Sequence, residues 1–292
     1  MLALAVALLV SLALTAWFQR ARGFGVLAPA NPDVVTHDRP IPLLGGVAIM
    51  TGLVCALAIH GVDFRGEARY FAALALLVVL GLFKDLRQRE FSPAVQLLVQ
   101  VAAVGLLVLD DPSSSPLYLT GRVLFGVLLI NGLNFIDVMD GLASSVTIVC
   151  TGFIAALFVS LGAGDPVPAL CLAAASLGFL AFNRPKATIF MGDVGSFGIA
   201  LTLVWLLQPA WNTEGISGPV VGLILAAPLL EVLITVLTRI RHGRSPFVGD
   251  ELHPSLRLLR SGRRPGVVIA IYATTTAVIA ALALALSLAV AG

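Results

Sequence analysis

Charged residues are scarce in this chain: Asp, Glu, Lys and Arg together make up 12% of its 292 residues. About a quarter of a soluble domain is charged, so this scarcity excludes a water-soluble globule. Neither sign dominates, because 18 basic residues stand against 16 acidic ones, and the chain lacks the basic surface that nucleic-acid binding requires. Cysteine is rare as well, and the three cysteines lack the spacing of a metal site or a disulfide framework.

Long apolar blocks fill the rest of the chain, and hydrophobic residues amount to 59% of it. Most blocks approach the ~20 residues that a helix needs to cross a bilayer. We therefore predict an all-α, polytopic membrane protein of about ten transmembrane helices, with residues 1–292 forming one integral membrane domain. The ten apolar segments are 1–18, 41–60, 68–83, 94–109, 117–135, 144–162, 166–182, 194–210, 216–238 and 266–290.

Basic residues are distributed unequally between the connecting loops. When alternate loops are assigned to one side, that side holds fifteen Lys and Arg residues, and the opposite side holds Arg65, Arg69 and Arg122. Positive residues accumulate on the cytoplasmic side of membrane proteins, so both termini are predicted to be extracytoplasmic. The outer loops are short, and the functional site is therefore expected on the cytoplasmic face.

Amide and carboxylate side chains recur every three residues where the fifth apolar segment ends, at Asn131, Asn134, Asp137 and Asp140. At ~100° per residue, this spacing would keep them along one side of a helix. A carboxylate at the edge of the hydrocarbon is costly unless it faces a wet cavity or a cation. A functional site is the first interpretation, and an ordinary polar helix terminus is the second.

Two further carboxylates are predicted on the same face of the membrane. Asp193 precedes the eighth apolar segment, and Asp85 follows the third. Each could cap a helix or bind Mg²⁺, which takes one or two carboxylates together with substrate phosphates and waters. With Asp137 and Asp140 they amount to four carboxylates from three separate loops, an arrangement that suits phosphoryl transfer.

The last cytoplasmic loop, 239–265, carries seven arginines and His253. Such a loop could hold an anionic substrate or lie against anionic lipid headgroups, and charge alone does not separate these two interpretations. Glu231 is the one acidic residue well inside an apolar segment. It is either a functional position or a buried partner of another helix.

Taken in order, these motifs resemble those of the polyprenyl-phosphate N-acetylhexosamine-1-phosphate transferases along nearly the whole chain. The segment 182–196 is the most specific match, and the run 134–143 is close to the family's Asn-x-x-Asp-Gly-x-Asp-Gly-Leu-Ala motif. Further matches are His37-Asp38-Arg39-Pro40, Lys84-Asp85, and Ser245-Pro246-Phe247 together with His253.

The resemblance implies a fold of ten helices with both termini outside, and it implies a reaction. A sugar-1-phosphate, expected to be N-acetylhexosamine-1-phosphate, would pass from a UDP-sugar to undecaprenyl phosphate with release of UMP. This would be the first membrane step of a cell-envelope glycan, such as O-antigen, in the bacterial inner membrane. Mg²⁺ is the implied cofactor, with Mn²⁺ as an alternative. Stretches of small residues could pack within the chain or between two copies of it, so the sequence permits a homodimer without requiring one.

The resemblance also assigns roles by position. Asp193 would be the principal Mg²⁺ ligand, with Asp85 as a second ligand close to the attacking lipid phosphate. Phe190 would stack on uracil. The predicted catalytic residues are Asp85, Asp137, Asp140, Lys84 and His253, and the other predicted substrate-binding residues are Asn134, Asn183, His37 and Lys186.

The chain departs from the family pattern mainly on the lipid-phosphate side. The family has two adjacent Asp residues where this chain has Lys84 and Asp85, and it often has a Lys where this chain has Gln96. Lys84 is expected to supply the positive charge that Gln96 does not. Two alternatives stay open: a non-catalytic relative that binds polyprenyl phosphate or a nucleotide sugar as a scaffold, and a transporter of lipid-linked or small anionic substrates.

Overall fold

The computed structural model of the chain describes residues 1–28, 40–87, 92–108, 115–212, 216–247 and 251–291, which are almost entirely helical. Two short strands, β1 (Leu27–Ala28) and β2 (Ile41–Pro42), pair in antiparallel fashion. The α-helices of the described ranges are α1 (Leu2–Arg20), α2 (Gly45–His60), α3 (Ala68–Arg87), α4 (Pro93–Val108), α5 (Pro116–Ile136), α6 (Leu142–Leu161), α7 (Val167–Asn183), α8 (Gly192–Leu206), α9 (Gly218–Ile224), α10 (Ala226–Arg241), α11 (Pro254–Arg260) and α12 (Pro265–Ala291).

Each of the ten apolar segments corresponds to one helix or, for the ninth, to a bent pair in which α9 and α10 meet at 84°. Among the described helices, four (α1, α5, α6 and α12) are long and apolar enough to cross a membrane, and the bent pair is a fifth candidate. Helices α2, α4, α7 and α8 are apolar but shorter, at 15 to 17 residues. The all-α, polytopic membrane fold is confirmed, whereas the count of ten crossings stays a prediction.

The outer helices expose large apolar side chains, as expected of a protein surrounded by lipid. On α12, Leu282 is 60% exposed and Leu286 is 56% exposed, whereas small residues such as Ala280 and Ala283 face the bundle. A water-soluble protein rarely exposes an apolar surface of this extent. The pattern places small residues where helices pack and leucines where the lipid lies.

Helix α8 lies at the centre of the bundle, and every residue in 194–204 is buried. It packs against α2, α3 and α5. A helix that is apolar on all sides is stable in a protein interior or in the bilayer, and α8 lies in the interior. Because packing on several sides holds α8 in place, Asp193 in its first turn has a fixed position between the ends of α3 and α5.

Glycines allow α2 to pack closely against the start of α8. A Cβ atom on Gly46 would lie 2.1 Å from the backbone nitrogen of Gly195, and the Gly46 amide donates a hydrogen bond to the Met191 carbonyl at 2.7 Å. The contact is between backbones, so neither side can yield without moving its helix.

We therefore expect Gly46→Ala to lower the melting temperature of the detergent-solubilised protein by roughly 3–10 °C, since overpacking costs ~1–3 kcal/mol. Gly152→Ala is the matched control, because a Cβ there would meet nothing within 4 Å and alanine favours a helix. Thermal unfolding followed by circular dichroism measures both. An unchanged midpoint for Gly46→Ala would contradict this close contact.

Candidate active site

Two cavities adjoin at one end of the bundle, and Asn134 and Val138 line both of them. The first, the carboxylate cavity, has a volume of about 390 Å³. It brings together seven predicted site residues from α3, α5, α7, α8 and the adjoining loops. These residues are Asp85, Asn134, Asp137, Asp140, Asn183, Phe190 and Asp193.

The second cavity, the lysine cavity, has a volume of about 370 Å³, and besides the shared Asn134 it contains two predicted site residues, Lys84 and His253. Arg239 also lines it, and this residue was not among those predicted. The rest of the wall is largely apolar. It includes Leu97, Val127, Leu128, Val232 and Val236.

Both carboxylate oxygens of Asp193 have partners from other helices. The Asn134 amide donates to Oδ1 at 2.6 Å, and Lys84 Nζ lies 2.7 Å from Oδ2. The Lys84 and Asp193 side chains are only 15% and 18% exposed, respectively. This ion pair is therefore screened less by solvent than a surface pair.

Asp85 accepts hydrogen bonds from the start of α8. The Asp193 amide donates to its Oδ1 at 3.1 Å, and the Val194 amide lies 3.5 Å from its Oδ2. A carboxylate is favourable at a helix N-terminus because it complements the helix dipole. Gly192 has a φ of +72°, and a Cβ there would lie 2.6 Å from Asp85 Oδ2, so glycine is required. Asp85 thus positions Asp193, while its predicted role as a metal ligand stays a prediction.

Helix α5 ends before the last two residues of its polar series. Ile136 is its final residue, Asp137 is its C-terminal cap, and Asp140 lies in the turn that follows. The prediction of one continuous helical band was therefore wrong beyond Ile136. The turn ends at Gly141, the N-terminal cap of α6, which has a φ of +74°. Despite this turn, Asp137 and Asp140 both line the carboxylate cavity.

Negative charge is concentrated around Asp137. Burial, together with the charges of Asp193, Asp85 and Asp140, raises the pKa of Asp137 well above its ordinary value. A divalent cation among these carboxylates would remove that repulsion. No three His, Cys, Asp or Glu side chains within the described ranges are already grouped as a metal site. The donor set fits a Mg²⁺ ion that takes one or two carboxylates and completes its shell with phosphates and waters.

Asp140 and Asn183 join the two loops that border the carboxylate cavity. The Ala187 amide donates to Asp140 Oδ2 at 2.9 Å. Asn183 accepts from the Gly141 amide and donates to the Ile189 carbonyl, each at 2.9 Å. Both side chains therefore shape the cavity, and their direct contact with a substrate stays a prediction.

Of the two remaining predicted substrate-binding residues, only Lys186 is among the described residues. Lys186 is exposed on the loop after α7 and lines neither cavity, and His37 falls outside the described residues. A third cavity, of about 590 Å³, lies at the opposite ends of the helices. Its lining includes Glu67, Arg122 and Trp205, and, within the described part of the chain, no predicted site residue.

Arg239 is the functional candidate that sequence reasoning missed, because it was counted only as a loop charge. It is 2% exposed, its Nη1 donates to the Pro246 carbonyl at 2.7 Å, and its guanidinium lies 4.9 Å from the centre of the Phe135 ring. Its position seven residues after Val232 and three after Val236 indicates the same helix face. That spacing was the available signal.

Glu231 is a buried partner of other elements, as one of the two interpretations of the sequence predicted. Its carboxylate accepts a hydrogen bond from the Ser255 hydroxyl at 2.7 Å and another from the Tyr272 hydroxyl at 2.5 Å. Ser255 lies in the first turn of α11. Glu231 therefore holds the last loop against α10 and α12, which places the buried His253 at the lysine cavity.

Comparisons with known proteins show which family the chain resembles. Residues 68–208 match the family model described as glycosyl transferase family 4, a range that runs from α3 to the end of α8. The decaprenyl-phosphate N-acetylglucosaminephosphotransferase of Mycobacterium tuberculosis is 30% identical, covering 85% of this chain and 72% of the relative. The undecaprenyl-phosphate alpha-N-acetylglucosaminyl 1-phosphate transferase of Escherichia coli K12 is 30% identical, covering 85% and 74%. A probable undecaprenyl-phosphate N-acetylglucosaminyl 1-phosphate transferase of Bacillus subtilis is 30% identical, covering 80% and 69%.

Proposed function

The chain belongs to the polyprenyl-phosphate N-acetylhexosamine-1-phosphate transferase family, and from this premise we propose that it transfers a sugar-1-phosphate from a UDP-sugar to undecaprenyl phosphate, releasing UMP. N-acetylglucosamine-1-phosphate is the first candidate for the transferred group, because the relatives' names specify it. The proposed role is the first membrane step of a cell-envelope glycan.

The observation that carries this proposal is the junction of two different cavities at Asn134. One cavity is rich in carboxylates and suits a nucleotide sugar held through a metal ion. The other combines Lys84 and Arg239 with an apolar wall, which suits a phosphate attached to an apolar chain. A reaction between two phosphate-bearing substrates needs such a junction, because catalysis rests mainly on positioning and charge stabilisation.

We assign the metal ion to Asp193. Asp137 is the second carboxylate of the site, because a cation would relieve its repulsion from the neighbouring carboxylates. We expect the ion to be Mg²⁺, with Mn²⁺ as a substitute. When bound, the metal would neutralise charge on the transferring phosphoryl group. Asn134 orients Asp193 through the 2.6 Å hydrogen bond. Phe190 lines the same cavity, where its ring can stack on uracil.

On the lipid side, Lys84 and Arg239 hold the acceptor phosphate. A phosphate oxygen of the acceptor attacks the sugar-bearing phosphorus of the UDP-sugar, and the bond to UMP breaks. An ammonium group at Lys84 cannot act as a carboxylate base or nucleophile, and the acceptor phosphate is already an anion. Direct attack is therefore the mechanism that these side chains favour.

The proposed location is the bacterial inner membrane, with both cavities facing the cytoplasm. Fifteen of the 18 basic residues are on that side in the proposed topology. We expect a reporter that is active only in the periplasm, such as alkaline phosphatase, to be active when fused after Gly292 and inactive when inserted near Gly243. The opposite pattern would overturn the assigned topology.

The decisive experiment incubates the purified full-length protein with Mg²⁺, undecaprenyl phosphate and a panel of UDP-sugars, and measures UMP by chromatography. UMP formation that depends on both the lipid and one UDP-sugar supports the proposal. A wild-type protein that is inert with every UDP-sugar but still binds undecaprenyl phosphate would instead support the scaffold alternative.

A further inference from the structure

We infer that Lys84 is a built-in counter-ion for Asp193, which a divalent metal ion displaces, and that the displaced ammonium then binds the phosphate of the acceptor lipid. Lys84 would thereby make metal binding and lipid-phosphate binding cooperative. This inference rests on the proposed function, because it takes Asp193 as the metal ligand.

The first observation is that Lys84 bridges the two cavities. Its Nζ lies 2.7 Å from Asp193 Oδ2 and donates to Gln96 Oε1 at 2.8 Å. Asp193 lines the carboxylate cavity, whereas Lys84 and Gln96 line the lysine cavity. The ammonium group therefore lies at the boundary, with a charged partner on one side and a neutral partner on the other.

The second observation is that Asp193 has no oxygen without a partner. Asn134 donates to Oδ1 at 2.6 Å, and the Lys84 ammonium contacts Oδ2. A metal ion at Oδ2 would meet a like charge at contact distance, in a place where both side chains are largely shielded from solvent. The metal ion and the ammonium therefore compete for the same oxygen.

The lysine cavity can receive the displaced ammonium group. Lysine has a flexible four-carbon stem, and Lys84 Nζ already donates a hydrogen bond to Gln96, which lines this cavity. Arg239 lies on its wall as a second, buried cation. A phosphate placed between them would replace the anionic partner that Lys84 loses at Asp193. Each ligand then favours the Lys84 position that the other requires, and such coupling is reciprocal.

The test measures Mn²⁺ binding to the full-length protein in detergent by electron paramagnetic resonance of the free ion, which does not depend on turnover. Without phosphate, we expect Lys84→Met to bind Mn²⁺ about 5–150-fold more tightly than the wild type, the usual range of coupling between sites. Lys84→Arg keeps the charge and should stay close to the wild type. Arg241→Met is the matched control, because Arg241 is exposed at the end of α10.

A second arm adds dodecyl phosphate, an alkyl phosphate that imitates the acceptor. It should strengthen Mn²⁺ binding several-fold in the wild type and in Arg241→Met, but not in Lys84→Met. Inorganic phosphate at the same concentration separates recognition of the phosphate from recognition of the alkyl chain. If Lys84→Met does not fold, Lys84→Gln removes the charge and keeps a hydrogen-bond donor.

The outcomes separate this inference from the proposed function. Equal Mn²⁺ affinity in wild type and Lys84→Met, or equal effects of dodecyl phosphate on both, would overturn the inference. If Asp193→Asn still abolished Mn²⁺ binding in that case, the metal assignment would stand. Absence of Mn²⁺ binding in every variant would overturn the inference and the metal assignment together, while UMP release tests the transferase proposal independently.

Discussion

We expect Asp193→Asn to lower the rate of UMP release by at least ~100-fold, the scale of losing one strong electrostatic contact in a transition state. Asparagine keeps the size of the side chain and an acceptor for Asn134, but it removes the anionic oxygen that Mg²⁺ prefers. Lys84 loses its ion-pair partner and keeps Gln96, so the protein should still fold.

The matched control is Asp63→Asn, the same chemical change at an exposed aspartate at the opposite end of the bundle. It should leave the rate within a factor of about two of the wild type, since most surface substitutions act weakly. Both rates are measured with saturating UDP-sugar and lipid, after thermal unfolding has shown that the variants are folded. Near-normal turnover of Asp193→Asn would remove this residue from the mechanism.

The second large effect is expected from Lys84→Met. Its kcat/KM for undecaprenyl phosphate should fall by about 10²–10³-fold, while KM for the UDP-sugar changes little. A unit charge ~4 Å from a phosphate contributes at most ~4 kcal/mol at an effective dielectric constant of ~20, and ~4 kcal/mol corresponds to ~10³-fold. Arg239 stays in the same cavity, so part of the lipid affinity should remain.

Steady-state kinetics with each substrate varied in turn distinguish this role from a merely structural one. Lys84→Arg should recover most of the loss, because it restores the cation, and Arg241→Met should behave as the wild type. Unchanged kinetics in Lys84→Met would mean that the ammonium serves only to place this end of α3 at the interface, as long basic side chains do. A loss confined to the UDP-sugar KM would contradict the assignment of Lys84 to the lipid side.

Much of the site could be predicted because its signals are local. Asn134 and Asp193 stood out as polar residues at the ends of apolar segments, where they are costly without a function, and the structure joins them by a hydrogen bond. The family resemblance was confirmed by relatives that cover most of the chain. The helical band was correct through Asn134 and failed afterwards, because a three-residue spacing does not reveal that α5 ends at Ile136.

Other parts could not be predicted, because they depend on which helices become neighbours. Lys84 and Asp193 are 109 positions apart in the sequence, and no local pattern links them. The contact of Asp85 with the α8 amides depends on the packing of α3 on α8, which the local sequence around Asp85 does not reveal. Glu231 was undecided for the same reason, since its partners lie on α11 and α12.

The sequence by itself determined the membrane setting, the helical class, the family and most of the side chains at the two cavities, but not Arg239. Whether a segment inserts into a bilayer depends on the summed hydropathy of its own residues, and its orientation depends on the basic residues in the adjoining loops. Only the tertiary structure decided which polar groups meet: Lys84 with Asp193, Asp85 with the start of α8, and Arg239 within the second cavity. The physical reason is that apolar helices are alike in composition, so their pairing is selected by close fit at small residues such as Gly46 and by the few buried polar contacts that each arrangement can satisfy.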